Sequence, residues 1–536
     1  MQSRPRPSGT LVPRLSRLPA RLLAGCAILL SDGCTVGPSF VPKVIWSPAS
    51  WFASAKPAAP PAATPISEPV SEPIDPNWWN LFHDAELTSL EQRVAAANLN
   101  VRLSTIRLAE SRSQRQITGA DQFPALQSDG SYTRERVSAK GVVGLFGGSG
   151  SGSGSGGSFA SMGGLANGTG GRSGGIPSSA GGGSIQPFNL WQYGFDASWE
   201  LDLWGRVRRE VESADAALEA SGDARRNALL SVVAEVARDY VQLRGTQTQL
   251  AIAHANIGTE QESLELSRAR FRGGLTTELD VVNAGAQLAS TQSEVPQLEN
   301  QQAQSINALS FLLGEAPGAL RAELIVAGTV PPVPPRVPVG IPSELARRRP
   351  DIREAEAQLH AATADIGVAV ADFYPKITLD GSIGLQALKV KDLGNWGARQ
   401  YGLGPSISIP IFEGGRLRAT LELRKVQQQE AALNYQQTVL QAWHDVDNAL
   451  TAYAAEQRRH DALASAEQQD RVAVKLSRER YAQGVADFLN VLDAERALLS
   501  AQLQLADSST TVSSNLVQLY KALGGGWEQT YPVAAR

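Results

Sequence analysis

Site chemistry needs reactive side chains that converge, and the most suggestive group in these 536 residues is Trp443-His444-Asp445-Val446-Asp447. A histidine beside two carboxylates could relay a proton or hold a metal. His444, however, has no second His or Cys three or four residues away, and on a helix Asp445 and Asp447 leave the axis in other directions. The run therefore reads as the polar face of a long helix. No Ser-His-Asp spacing, HExxH, P-loop or CxxC occurs. The GxGxxG-like spacings within 138–187 follow from composition, since 19 of the 50 glycines fall between 141 and 184 and neither a strand before nor a helix after makes a phosphate cradle. Methionine is confined to Met1 and Met162, which gives no support to a copper-binding lining. The expectation is no catalytic residue, no cofactor and no metal.

The other four His (His83, His254, His360, His460) are scattered, and the two cysteines are Cys26 and Cys34. Arg4, Arg6, Arg14, Arg17 and Arg21 precede the apolar run Leu22 to Leu30, the layout of a signal peptide over 1–33. Bacterial lipoprotein leaders end in Leu-small-small-Cys. Leu23-Ala24-Gly25-Cys26 has the better box, whereas Ser31-Asp32-Gly33-Cys34 has the better apolar run before it. Cys34 is the favoured lipidation site, with Cys26 as the alternative. Residues 34–76 are rich in Pro and Ala and read as an extended linker from a lipid anchor.

Lys plus Arg is 49 against Asp plus Glu 53, a net charge of −4, so no broad basic field exists for nucleic acid. No stretch approaches the ~20 apolar residues of a membrane-spanning helix. A bilayer contact would have to use lipid or β-strands.

The chain repeats itself. Leu266 to Ala284 (LSRARFRGGLTTELDVVNA) matches Leu476 to Ala494 (LSRERYAQGVADFLNVLDA) at 8 of 19 positions and an offset of 210. Each copy predicts a helix (84–122, 342–373), two strands, a very long helix, a Gly turn and a further helix (281–313, 488–522). The strands are expected at about 125–135, 190–203, 376–386 and 402–412. Residues 191 to 203 alternate strictly, with Trp191, Tyr193, Phe195, Trp199 and Leu201 on one face and Gln192, Asp196, Ser198 and Glu200 on the other. Such long amphipathic strands suit an outer-membrane barrel. Four strands cannot close one, and open edges do not survive in lipid, so the chain must oligomerise. Residues 416 to 483 contain no Gly or Pro, enough for a helix of roughly 100 Å. The rest of the expected plan is repeat one over 77–314, with 138–187 as an extracellular loop, an equatorial linker at 315–341, repeat two over 342–523 and a tail at 524–536.

With these features in view, the chain resembles the TolC-like outer membrane factors, in the lipoprotein (NodT/OprM-like) branch serving RND-type tripartite efflux. The resemblance rests on CTVGPSFVP (34–42), PNWWNLFHDAEL (76–87), ELARRRPDIREAEAQL (344–359), the paired runs above and YKALGGGW (520–527). It supports Cys34 as the anchor. It implies an internally duplicated, mainly α fold with membrane β, a homotrimer with four strands per chain in one 12-stranded barrel, and a long periplasmic α-helical barrel. It also implies a passive exit duct in the outer membrane, partnered by a periplasmic adaptor and an inner-membrane RND-type transporter. Gly273, Gly274 and Leu275 and Gln483, Gly484 and Val485 would be adaptor-binding tips. Asp280, Asp493 and Asn490, with Tyr481 nearby, would form the periplasmic gate. Carboxylates gathered by threefold symmetry repel one another and favour bound cations; the plainer alternative is that Asp280 and Asp493 are helix N-terminal acids. The rival functions are a type I protein-secretion channel and a coiled-coil envelope scaffold lipoprotein. Drug, metal and solvent substrates all stay open.

Overall fold

The computed structural model describes residues 35–42, 51, 67–136 and 187–532. Cys26, Cys34 and nearly all of the 138–187 loop lie outside them. The chain divides into two compact units, one of residues 1–120, 204–374 and 412–536, the other of 121–203 and 375–411.

The smaller unit is a four-stranded antiparallel sheet in the order β2 (Ala125–Glu135), β3 (Phe188–Glu200), β5 (Lys376–Ala387), β6 (Arg399–Ser408). The fourth strand ends four residues before the expected 412 because Pro410 has no N–H for the ladder. Lys376 pairs with Ser408, Thr378 with Glu200 and Ser198 with Ala125, so all four chain crossings to the helical unit leave from one sheet end. Gly194 faces Gly384 across β3 and β5, where a Cβ on either would sit under 3 Å from a backbone oxygen of the other strand.

The larger unit is built on two 67-residue helices, α3 (Arg206–Arg272) and α8 (Arg416–Ala482). Around them lie α1 (Ala85–Ala97), α2 (Leu99–Ala120), α4 (Glu278–Leu312), the single turn α5 (Arg321–Leu324), α6 (Pro342–Arg348), α7 (Pro350–Ala371) and α9 (Phe488–Leu523). The short strands β1 (Glu68–Val70) and β4 (Arg336–Pro338) pair in parallel. The contacts give two rows of helices, α2–α3–α7–α8 and α4–α3–α9–α8, which share the long ones. Along α8 the buried Tyr435, Val439, Ala442, Val446, Ala449 and Tyr453 step by four and three, the spacing of a packed coiled helix.

Both shorter rising helices break where one continuous helix was expected. Asn98 is extended and its Oδ1 accepts from the backbone of Asn100 (2.8 Å) and Val101 (3.1 Å), while its Nδ2 donates to Leu312 O (2.7 Å), so one side chain caps the start of α2 and the end of α4. Pro350 forces the second break, because Arg349 before it is held out of the helical region at ψ 121°.

The aromatic motifs near both ends of the chain meet in the core. Trp78 stacks on Tyr520 with centroids 5.2 Å apart, and its indole N–H donates to Gly525 O (3.2 Å). Buried Arg349 donates to Ala522 O (3.0 Å) and to Asp351 and Asp445, which ties the Arg-rich motif to the end of α9. Asp445, from the suggestive 443–447 run, is thus a structural ion-pair partner.

Between α1 and α5, Arg93 holds the Glu323 carboxylate through both oxygens (3.1–3.3 Å). Glu86 is pushed up to about 7 from its ordinary 4.5, first by its hydrogen bond with Glu323, then by burial and by the Glu323 charge, against the pull of Arg244 and Arg93. The folded chain keeps this proton to about pH 7, whereas an unfolded one releases it near 4.5. Stability from this group is therefore intact at low pH and falls as pH rises through that window. Amide exchange across 321–328 should quicken between pH 5 and 8 beyond its intrinsic acceleration, and Glu86→Gln should remove the excess.

Candidate functional site

The two helical hairpins, α3–α4 and α8–α9, end in matching turns. Leu275 N donates to Arg270 O (2.9 Å) and Gly274 N to Phe271 O (2.9 Å); 210 residues on, Val485 N donates to Arg480 O (3.1 Å) and Gly484 N to Tyr481 O (2.9 Å). This double bond pattern closes a helix over a left-handed residue, and Gly274 (φ 69°) and Gly484 (φ 76°) supply it at no steric cost. Gly273, Gly274, Leu275, Gln483, Gly484 and Val485 are all exposed. With Leu279, Val282 and Leu489, the tip residues Leu275 and Val485 make an exposed apolar crown.

Just inside the tips a small core of Leu264, Ala284, Tyr481, Phe488, Val491 and Leu492 joins the two hairpins. Arg270 of the first hairpin lies over the Tyr481 ring (4.5 Å) and donates through Nη1 to Tyr481 O (2.8 Å) and Ala482 O (3.3 Å). A cation is thereby placed on the carbonyl end of α8, where the helix dipole favours it. Tyr481 is buried against Phe488 (5.3 Å).

The other expected gate residues are not drawn together within the chain. Asp280 sits half-buried in the first turn of α4 and accepts from the Thr276 hydroxyl. Asp493 is 65% exposed at its side chain, 4.0 Å from Arg496, and Asn490 is exposed. Asp280 is thus engaged within its own turn, and Asp493 is the acid left at the surface.

Above the tips lies a polar network that sequence reasoning did not find. Glu495 Oε1 accepts from Arg478 (2.6 and 2.9 Å) and from Ser263 Oγ (2.8 Å), which binds α9, α8 and α3 together. One residue on, Arg496 donates to Gln287 Oε1 (2.7 Å), and Gln287 and Thr291 donate to Glu260 Oε1 (3.1 and 3.0 Å). Burial pushes the Glu260 carboxyl up, and the Glu495 and Glu294 charges add to this, while its two hydrogen bonds act the other way. The helices α3, α4, α8 and α9 are all joined by this network, whose carboxylates Glu260 and Glu495 are buried, so a movement of one hairpin must carry or break the other. The available signal was polar residues intruding at three- and four-residue steps on apolar faces.

The segment 35–42 runs over α3 and α7. Val36 N donates to Trp204 O (3.1 Å), and Gly37 (φ 92°) passes so close to Gly367 that a Cβ would lie 2.6 Å from its Cα. Arg209 donates to Ser39 Oγ (3.3 Å), and Phe40 stacks on His360 (4.5 Å), whose Nε2 meets Glu212 (3.0 Å).

No helix among the described residues is long and apolar enough to cross a membrane. The family model "Outer membrane efflux protein" matches residues 90–315 and 341–525. "Cation efflux system protein CusC" of Escherichia coli is 28% identical over 515 residues, covering 95% of this chain and 100% of that protein. "Outer membrane protein OprJ" of Pseudomonas aeruginosa is 31% identical over 454 residues, 84% of this chain and 87% of that protein. The solved outer-membrane channel OprN superposes with a TM-score of 0.79 at 33% identity, over 92% of this chain and 100% of that one. The chain belongs to the outer membrane efflux protein family, and it is an efflux channel of the outer membrane with the TolC-like trimeric fold of four strands per chain in a 12-stranded barrel.

Proposed function

We propose that the trimer is the passive exit duct of a tripartite pump, loaded by a periplasmic adaptor and energised by an inner-membrane RND-type transporter. The observation that carries this reading is the pair of exposed apolar tips, six per trimer, each closed by the same glycine turn. An exposed apolar patch on a rigid element marks a docking site, and the adaptor is its occupant. Asp280 and Asp493, carried outward by the hairpins, make the acidic gate once three chains close. The Arg270 and Glu495 ties hold each pair of hairpins as one body in the closed state.

Cys34 is the lipidated residue in this reading. Thr35 follows it directly, and the arm that begins there is fastened beside Trp204, where the chain crosses from β3 to α3. Cys26 would leave eight further residues between lipid and arm.

The test is photocrosslinking in cells from residues replacing Leu275 and Val485. Adducts with the adaptor at both tips, absent when the probe replaces exposed Leu388, are expected. Labelling confined to other envelope proteins would sink the pump reading.

A further inference from the structure

The sheet has two ends, and register separates them: the chain crossings lie at one, and the β5–β6 connection, residues 388–398, lies at the other. The connection is ordered by two short 3-10 turns, Val390–Asp392 and Trp396–Ala398. It exposes Leu388, Val390 and Trp396, the last at 79%. Arg399 stacks on the Trp396 ring at 3.5 Å, so the most exposed aromatic already carries a cation on one face. Lys389 and Lys391 flank Val390, and over 388–399 three cations stand against Asp392 alone, a net +2 per chain. Among the described residues none of the three cations has an ion-pair partner, whereas Lys376 at the other sheet end is paired with Glu200 (2.7 Å).

A second observation fixes the depth of this patch. Tyr132 and Trp191 form a cross-strand aromatic pair with centroids 4.4 Å apart, and Trp191 stands opposite Ala387, the last residue before the connection. Aromatic side chains at strand ends mark the boundary between hydrocarbon and headgroups. The crossings lead to the periplasmic helices, so this boundary belongs to the outer leaflet. Leu388, Val390 and Trp396 are then at headgroup level, with cations interleaved.

We propose that the β5–β6 connection is a binding site for the phosphorylated glycolipid headgroups of the outer leaflet, one per chain. Lys389, Lys391 and Arg399 pair with phosphates, and Val390 and Trp396 seat against the upper acyl chain and sugar. A patch that served apolar anchoring alone would need no unpaired cations, and one for small anions would need no exposed tryptophan. The site holds the barrel at a fixed height in an asymmetric bilayer, since only one leaflet presents the phosphates.

The test counts lipids retained by the detergent-extracted full-length trimer in native mass spectrometry. The probes are lipid A with both phosphates and the same lipid dephosphorylated. The phosphorylated form should bind about tenfold tighter at physiological salt, saturate at three per trimer and weaken as salt rises. Lys389→Glu, Lys391→Glu and Arg399→Glu together should abolish that preference, while Trp396→Ala should weaken both forms severalfold. These side chains are exposed, so heat-resistant trimer reports that the variants fold; the salt dependence of the unaltered protein is a reading that needs no variant. Equal binding of the two lipids, no response to salt, or an unchanged triple variant would overturn the proposal. Displacement by millimolar inorganic phosphate would assign the patch to a free anion and overturn it equally.

Discussion

Leu433→Asp on α8 is expected to abolish the trimer: light scattering of detergent-extracted protein should give monomers, and heat-resistant trimer should vanish from the outer-membrane fraction. The helix row α2–α3–α7–α8 has free sides at α2 and α8, and the sheet order β2–β3–β5–β6 leaves β2 and β6 unpaired. On α8 the exposed Val426, Leu433 and Leu440 repeat at seven residues, with Leu433 66% exposed. On α2, Leu99, Leu103, Ile106 and Ile117 keep steps of four, three and eleven, which is one heptad seam. Two apolar seams on opposite ends of one row are covered when α8 of one chain lies against α2 of the next. Removing a buried leucine costs about 2–3 kcal/mol at each interface, and an unpaired carboxylate in an apolar seam costs more. Three interfaces multiply the effect. Leu433→Met should leave the trimer intact; a stable Leu433→Asp trimer would show that this seam faces something else.

Arg478→Ala is expected to raise the conductance of the closed channel in planar bilayers severalfold and to make cells leaky to bulky antibiotics. Glu495 is 5% exposed and would keep only the Ser263 hydroxyl. Removing one partner of a buried ion pair costs about 3–5 kcal/mol, because the other charge stays desolvated. The gain from relief lies in separating α9 from α3, which is the motion that parts the hairpins. Adding Glu495→Gln to Arg478→Ala should recover most of the closed state, since no charge is then stranded. Arg268→Ala, at the equivalent position of the first repeat, should do nothing measurable: Arg268 is 52% exposed at its side chain and pairs only with Glu265. Equal conductance for the Arg478 and Arg268 variants would remove the network from any role in closure.

That contrast shows where reading the chain by its repeat stops. Arg268 and Arg478 are the same residue in matched runs, LSRAR and LSRER, yet one is a solvated surface charge and the other closes a buried network. The difference comes from the third helix: Glu495 stands where the first repeat has Gly285. Likewise Asp280 corresponds to Asn490, and Asp493 to Asn283, so the acids alternate between the two copies. The breaks at Asn98 and Arg349 were partly legible. Pro350 was in plain view, but the role of Asn98 depends on Leu312, which is 214 residues away.

The amino-acid order by itself determined the duplication, the four amphipathic strands, the two very long helices, the glycine turns at the tips and the need for more than one chain. These are properties of period and composition: alternation sets which strand face meets lipid, and the lack of Gly and Pro lets a helix run on. Which polar residues are buried together, which seams stay open for a neighbouring chain, and where the arm after Cys34 is fastened were decided by tertiary structure. Those outcomes depend on contacts between residues more than 150 positions apart, such as Val36 with Trp204 and Arg270 with Tyr481, which local pattern does not encode.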